Sequence, residues 1–223
     1  MAATLTASMS TPKFVLRTVA VTLAAMILVF FGVGYLLADS WQVATFRNIP
    51  EAMAPLAQRV GDLRSWQKWS SLEFALGNPT EVRFEGEAGK GGQRGIWTGP
   101  IGEAQIDLVR VAETAEEGAV DYVIGFRYGQ DGQQAGGRFT GTIQWTRKGE
   151  RETQVVWTED GQLPSMMARW SNWFGALQEK VKQVQGASLS GLEEAVRRER
   201  RAAAKEGAPE KTGAGKAPAP AVK

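Results

Sequence analysis

The sequence predicts an α+β protein in which a curved antiparallel sheet packs on a long C-terminal helix, preceded by one transmembrane helix. Three patterns carry this prediction. Residues 18–38 contain no charged side chain. Between residues 81 and 161, apolar and polar residues alternate, which is typical of strands with one buried face. After Pro164, apolar residues recur every three or four positions, which indicates a helix.

The uncharged segment at residues 18–38 is long enough to cross a bilayer, since a helix rises about 1.5 Å per residue and the hydrocarbon core is about 30 Å thick. The alternatives are a buried core helix, which is rarely so long and apolar all round, and a cleaved signal peptide. Against cleavage, Leu36 stands where a small residue is favoured. Lys13 and Arg17 precede the segment and Asp39 follows it. The positive-inside rule therefore predicts a single-pass protein of a bacterial-type cell membrane, with a cytoplasmic N-terminus and an extracytoplasmic domain.

Composition divides the chain into four segments. We expect a cytoplasmic N-terminal segment at residues 1–17, the transmembrane helix at 18–38, one folded domain at 39–200, and a disordered basic tail rich in Pro, Ala and Lys at 201–223. The arginines within 197–201 indicate either a solvated helix end, which we favour, or contact with anionic headgroups.

Net charge and the missing residue types exclude several functions. The formal net charge is +2, and both ends of the chain are basic while the middle is mildly acidic, so we expect no nucleic-acid surface. The chain has no Cys and no His, which excludes disulfides and removes the most common general base and metal ligand. We expect no metal and no cofactor.

The expected domain begins with a strand at residues 41–47. Asn48 and Pro50 predict a helix start after it, and Gly61 predicts the helix end. Pro55 predicts a break into two short helices, because proline removes a backbone donor from a helix interior.

Six further strands are predicted, joined by short turns rich in glycine. They cover residues 81–86, 92–99, 103–112, 120–128, 138–146 and 153–161. The helix after Pro164 extends to about Val196 and carries Gly186 and Gly191. We predict a break at 186–191, because each glycine costs about 1 kcal/mol in a helix interior.

One motif resembles a known family. The run Asp62-Leu63-Arg64-Ser65-Trp66-Gln67-Lys68-Trp69-Ser70 resembles the D-L-x-x-W-x-x-W-S turn of the START-like helix-grip superfamily, in particular its bacterial polyketide cyclase/dehydrase-like (SRPBCC) branch. Gly191-Leu192 is similar to the G-L step of the family's last helix, whereas Asn48-Ile49-Pro50 departs from the Ala-Pro that is usual at the strand-to-helix corner. The likeness covers residues 41–200 in element order and implies the helix-grip fold.

The resemblance also implies a hydrophobic cavity between the sheet and the last helix. Its expected wall consists of apolar residues on the inner faces: Trp97, Ile106, Leu108, Tyr122, Ile124, Phe126, Phe139, Ile143, Trp145, Trp157, Trp170 and Phe174. Trp66 and Trp69 are expected either as plugs where the short helices meet the sheet or at the rim of the cavity. The alternative for every one of the eight tryptophans is simple core packing.

We therefore expect a membrane-anchored protein that binds a lipid or another apolar small molecule, with no catalytic residue. Two alternatives stay open. A cyclase- or dehydratase-like enzyme would need an inward ionisable group, and the candidates are Glu85, Arg94, Glu103, Arg110 and Tyr122. A cell-envelope adaptor would have a filled core and would recruit a partner through its surface or its basic tail. The sequence leaves the oligomeric state open.

Overall fold

The computed structural model describes residues 12–71, 78–100, 102–128 and 135–206. Of the predicted disordered tail at 201–223, residues 201–206 belong to the last helix, and the remainder lies outside the described part of the chain, as do the first eleven residues. The elements, in chain order, are α1 (Pro12–Leu36), β1 (Ser40–Ile49), α2 (Met53–Gly61), α3 (Leu63–Trp66), β2 (Glu81–Glu85), β3 (Arg94–Gly99), β4 (Gly102–Glu113), β5 (Glu117–Tyr128), β6 (Ala135–Gly149), β7 (Glu152–Gln162), α4 (Met166–Trp173) and α5 (Ala176–Glu206).

The seven strands form one antiparallel sheet with the order β1-β7-β6-β5-β4-β3-β2. Six strands follow one another as hairpins, and β1 joins the far edge beside β7. The register shifts between Leu108 and Arg110 and between Arg147 and Gly149, and such bulges bend and twist a sheet. The sheet therefore has an inner face, against which α2, α3 and α5 bury their apolar side chains.

The alternation in the sequence predicted the strands well, because one face of each strand is buried. The strands expected at 103–112 and 153–161, for example, are observed at Gly102–Glu113 and Glu152–Gln162. Leu189, Leu192 and Val196 of α5 lie in the same buried cluster as the inner strand residues. The predicted arrangement of a curved antiparallel sheet on a long last helix is confirmed.

The predicted helix start at Asn48 and Pro50 is wrong. β1 stays paired with β7 up to Ile49, so the chain turns only afterwards and α2 begins at Met53. Pro55 then lies in the first helical turn, where backbone N–H groups have no partner within the helix, and it causes no break. The two short helices are instead separated at Asp62, whose side chain accepts a hydrogen bond from the Arg64 N–H at 3.0 Å.

The predicted break at 186–191 is also wrong, since α5 is continuous from Ala176 to Glu206. Gly191 is needed for close packing: a Cβ atom there would lie 2.3 Å from the backbone oxygen of Trp69. The break lies earlier, at Gly175, whose φ of 75° favours glycine and separates α4 from α5.

Helix α1 is exposed along nearly all of its described length, and only Gly34 is buried. Its segment Val15–Leu36 is long and apolar enough to cross a membrane. The C-terminal part of α1 packs against α4, where a Cβ atom on Gly34 would lie 2.6 Å from the Met166 side chain.

Three of the arginines near the end of α5 have partners on the chain itself. Arg197 pairs with Glu193 at 2.6 Å, and Arg200 pairs with Glu51 at 3.5 Å. α5 leaves the α1 end of the domain at Ala176, and Arg197 lies roughly 30 Å further along the helix axis. Both facts agree with a solvated helix end and place the cluster away from the membrane-spanning candidate.

Candidate functional site

The interior between the sheet and α5 contains ten of the residues that were predicted to form a cavity wall. All ten lie on the inner strand faces: Trp97, Ile106, Leu108, Tyr122, Ile124, Phe126, Phe139, Ile143, Trp145 and Trp157. Phe139 is half-buried and the other nine are buried. The period-two pattern placed these side chains on the correct face.

Trp66 and Trp69 lie in the centre of this interior, where they act as plugs. Trp66 is 0 % exposed, and its ring centroid is 5.4 Å from that of Tyr122 in an edge-to-face contact. The ring of Trp69 lies 6.0 Å from that of Trp157. Both indoles are buried, as expected for core plugs, and their place at the rim of a ligand cavity stays a prediction.

Trp170 and Phe174 do not line the interior, and this part of the predicted wall is wrong. Both belong to the α4 region, which ends before Gly175 and contributes no residue to the main core cluster. The Trp170 ring stacks on Phe30 of α1, with centroids 5.2 Å apart, and Phe174 is 76 % exposed. The helical period identified these residues as one apolar stripe, but it could not show that α4 and α5 are separate helices.

A polar cluster lies within the aromatic interior, and Glu159 of β7 is at its centre. The Tyr122 hydroxyl donates a hydrogen bond to Glu159 Oε1, and Gln185 Nε2 of α5 donates to Glu159 Oε2 at 3.2 Å. Trp157 Nε1 donates to the Tyr122 oxygen at 2.7 Å, and Thr45 Oγ1 of β1 donates to Gln185 Oε1 at 2.7 Å. The cluster therefore connects three strands with the last helix.

Burial changes the protonation of this cluster. Glu159 is only 9 % exposed, and burial raises the pKa of its carboxyl above the ordinary value, although the hydrogen bonds from Tyr122 and Gln185 oppose the shift. Burial, followed by the nearby Glu159 charge, raises the pKa of Tyr122 well above its ordinary value. Tyr122 is thus a permanent hydrogen-bond donor, and Glu159 is the group here that can gain or lose a proton.

The charged residues considered for catalysis lie on the outer face of the sheet. There, Arg94 pairs with Asp107 at 2.5 Å and Arg127 pairs with Glu103 at 3.3 Å. Arg110 pairs with Asp121 at 2.7 Å. Arg94, Asp107, Glu103 and Arg127 line an open groove of about 590 Å³ on the outer face, and Arg110 lines a second one of about 260 Å³. Of the five candidates, Tyr122 alone points inward.

Glu159 and Gln185 were missed by the sequence reasoning, although a signal was present. Glu159 follows Val155 and Trp157 at a spacing of two, so it shares their inner face. Gln185 occupies an inner position of α5, between Val181 and Leu189. A charged or amide side chain at a position that the pattern assigns to the core is the signal that could have identified this cluster.

Comparison with known proteins supports the architecture. The chain is similar to a hypothetical protein from Helicobacter pylori, with a TM-score of 0.52, 11% identity, and coverage of 71% of this chain and 88% of that chain. It is also similar to a protein of unknown function from Staphylococcus aureus, with a TM-score of 0.52, 6% identity, and coverage of 73% and 97%. The chain has the helix-grip fold. A third similar structure is norcoclaurine synthase from Thalictrum flavum in complex with dopamine and hydroxybenzaldehyde, with a TM-score of 0.47, 11% identity, and coverage of 74% and 90%.

At these identities the two structures with a TM-score of 0.52 establish the fold alone. No family model matches the chain, and no curated protein matches it. Within the described residues, no group of three His, Cys, Asp or Glu side chains could hold a metal ion. The chemistry of the site therefore rests on the cluster around Glu159: it can accept or donate hydrogen bonds to a polar group, and it can hold one proton within an apolar interior.

Proposed function

We propose that this chain is a membrane-anchored helix-grip protein of the START-like type that binds a lipid or another hydrophobic small molecule between its sheet and α5. The proposal depends on the Glu159 carboxyl, which is buried next to the side chains of Tyr122, Trp157 and Gln185. Burying a carboxyl costs free energy unless it is compensated, so a domain that needed only a filled core would favour an apolar residue there. A polar group on a bound molecule gives this carboxyl a function.

The ligand that fits this interior has an apolar body and a small polar head. The aromatic side chains offer apolar contact, and the head would exchange hydrogen bonds with Glu159 or Gln185. One further donor is available to such a head: Trp41 Nε1 is buried, has no hydrogen-bond partner among the described residues, and lies against Gly161, two residues along β7 from Glu159. A buried N–H group without a partner costs about 1 to 3 kcal/mol, so a hydrogen bond to the head would be favourable.

Access is proposed at the end of the domain nearest to α1. Phe139 is half-buried there and contacts both the main core and the smaller cluster of Trp41, Val43 and Leu163. Its ring lies 5.7 Å from Phe126 and 5.2 Å from Trp41. A rotation of the Phe139 side chain would open the space above the Glu159 cluster.

Anchoring by α1 places this access route beside the bilayer. The proposed anchor is the exposed apolar segment Val15–Leu36, with the N-terminus in the cytoplasm and the domain outside it. The close packing of Gly34 of α1 against Met166 of α4 supports an uncleaved helix. A signal peptide that is removed after export would not need to pack closely against the folded domain. A hydrophobic ligand would then pass from the acyl chains to the interior through a short apolar path.

Native mass spectrometry tests this proposal. The full chain is extracted from membranes in lipid nanodiscs and is released from the nanodiscs inside the mass spectrometer. We expect one apolar molecule to remain bound, and we expect its amount to fall in a Tyr122→Phe, Glu159→Gln double variant. A variant of the outer face, Val109→Ala, is the control and should retain the molecule. A native protein without any bound apolar species would refute the proposal.

A second function, a membrane-anchored adaptor with a filled core, is favoured by the dense packing of the interior. Trp66, Trp97, Trp145 and Trp157 are each at most 2 % exposed. An adaptor would act through its surface or its C-terminal segment. Capture of a partner by the native chain, and its loss on removal of residues 197–223, would favour this function, whereas a ligand carrier should be indifferent to the removal.

A further inference from the structure

Helix α4 presents large apolar side chains to the outside of the domain. Met167 is 69 % exposed, Trp173 is 67 % exposed and Phe174 is 76 % exposed. None of the residues of α4 is buried. Soluble proteins rarely expose a cluster of large apolar side chains, and such a cluster indicates a surface that contacts a membrane or another protein.

These side chains adjoin α1 through a stack of aromatic rings. Phe30 of α1 stacks on Trp170 with centroids 5.2 Å apart, and Trp170 stacks on Phe174 with centroids 5.8 Å apart. Met166 at the start of α4 lies against Gly34. Trp170, one turn later, extends from Gly34 to Phe30: its indole nitrogen would lie 2.8 Å from a Cβ atom on Gly34, and its ring stacks on Phe30. α4 therefore runs antiparallel to α1 over this stretch.

The direction of α4 sets its depth relative to the proposed anchor. Asp39 is the first charged residue after α1, so the apolar span ends near Leu36. Phe30 precedes Leu36 by six residues, which corresponds to about 9 Å along a helix. The Trp170 ring extends from Gly34 to that level, and Phe174 follows one helical turn later in α4, further towards the middle of α1.

The distribution of charged residues agrees with this depth. The α4–α5 corner, which we define as residues 170–178, contains no charged side chain and is bounded by Arg169 and Glu179. The Arg169 guanidinium stays at the α1 end, where it donates to the backbone oxygens of Tyr35 at 3.4 Å and Leu163 at 3.3 Å. Lys180 and Lys182 are exposed and long enough to extend towards headgroups.

We infer that the α4–α5 corner inserts into the same leaflet as the C-terminal half of α1, with Phe174 and Trp173 among the acyl chains. The occupant of the exposed α4 surface is thus the lipid bilayer. This inference rests on the proposed anchoring by α1 and adds a second contact, which fixes the orientation of the domain on the membrane. Leu177 and Val181, which follow the corner, pack against the cluster of Trp41, so the inserted corner adjoins the proposed access route.

Depth-dependent fluorescence quenching tests the inference on the full chain in vesicles of phosphatidylethanolamine and phosphatidylglycerol. The native chain has no cysteine, so single variants can carry one bimane label each. The test variants are Phe174→Cys and Met167→Cys. Leu28→Cys, within α1, is the control for anchoring, and Val109→Cys, an exposed position on β4, is the control for water. Nitroxide groups are placed either at a shallow or at a deep position of the lipid acyl chain.

We expect the label at Phe174 to lose emission to the deep nitroxide as strongly as the label at Leu28. The label at Met167, nearer to the start of α4, should lose emission mainly to the shallow nitroxide. If Leu28 is quenched while Met167 and Phe174 behave like Val109, the inference is overturned and the anchoring stands. If Leu28 is not quenched either, the proposed anchoring fails and the inserted corner fails with it.

Discussion

Tyr122 on β5 reaches Glu159 on β7 by crossing the strand that lies between them. The register pairs Tyr122 with Gly141 of β6 and pairs Gly141 with Glu159, so the three residues form one row across the sheet. A Cβ atom on Gly141 would lie 2.2 Å from the Tyr122 ring. The missing side chain at Gly141 is therefore what allows the hydroxyl of Tyr122 to donate to the carboxyl of Glu159.

Replacing Gly141 should break this row. We expect Gly141→Ala to lower the free energy of unfolding by about 1 to 3 kcal/mol, because the new methyl group displaces the Tyr122 ring from a packed interior. Gly125→Ala is the matched control, since a Cβ atom there meets no atom within 4 Å; its effect should stay within about 0.5 kcal/mol. Urea unfolding in micelles, followed by tryptophan fluorescence, measures both. Equal effects of the two substitutions would contradict the role of Gly141.

The buried carboxyl should make stability depend on pH. Burial raises the pKa of Glu159 above 4.5 in the folded chain, so the folded state holds this proton more tightly than the unfolded state does. Its contribution to stability is complete below the ordinary pKa and is lost as the pH rises through the raised pKa. Glu159→Gln should remove this loss, so the variant gains stability relative to the native chain as the pH increases.

Parallel unfolding curves of the native chain and Glu159→Gln at several pH values above 4.5 measure this difference directly. Other carboxyl groups titrate equally in both proteins and cancel. A stability difference that stays constant over this range would show that Glu159 is not buried as described.

Two glycines of α5 should respond oppositely to alanine. Gly186 has no atom within 4 Å of an added Cβ, so Gly186→Ala should stabilise the chain by about 1 kcal/mol through helix propensity. Gly191→Ala should destabilise it, because the added Cβ would lie 2.3 Å from the Trp69 backbone oxygen. Melting temperatures in micelles provide the comparison. Stabilisation by both substitutions would mean that α5 does not approach the Trp66–Trp69 turn this closely.

The contact between α1 and α4 can be tested in the same manner. Gly34→Leu should force α1 away from Met166 and Trp170, whereas Gly32→Leu places its side chain where no atom lies within 4 Å. We expect Gly34→Leu to lower the unfolding temperature of the full chain and Gly32→Leu to leave it nearly unchanged. If the order is reversed, α1 does not pack on α4 through Gly34.

Much of the fold could be predicted because it follows from local periodicity. The alternation on β5, for example, places Val120, Tyr122 and Ile124 on the buried face, as observed. The bounds of α2 could not be predicted, since they depend on how far β1 stays paired with β7, which is a long-range interaction. The continuity of α5 at Gly191 likewise depends on a distant residue, Trp69.

The site was predicted only in part, for a related reason. The spacing of apolar residues in the sequence assigns a side chain to one face of a strand or helix, but it does not identify the residues that this side chain contacts. The alternation places Glu159 on the inner face, but it does not show that Tyr122 and Gln185, which belong to different elements, donate hydrogen bonds to it. Trp170 and Phe174 had the correct helical spacing, but they belong to a helix that faces α1.

Photo-crosslinking from inside the domain tests the central claim most directly. A benzoylphenylalanine residue in place of Phe139 would lie at the proposed access route, and the same residue in place of Val109 would lie on the outer face. After irradiation of intact membranes, we expect mass spectrometry to find a small apolar molecule attached at position 139 and none at position 109. Attachment of position 139 only to other residues of the chain would contradict ligand binding and would favour a filled core.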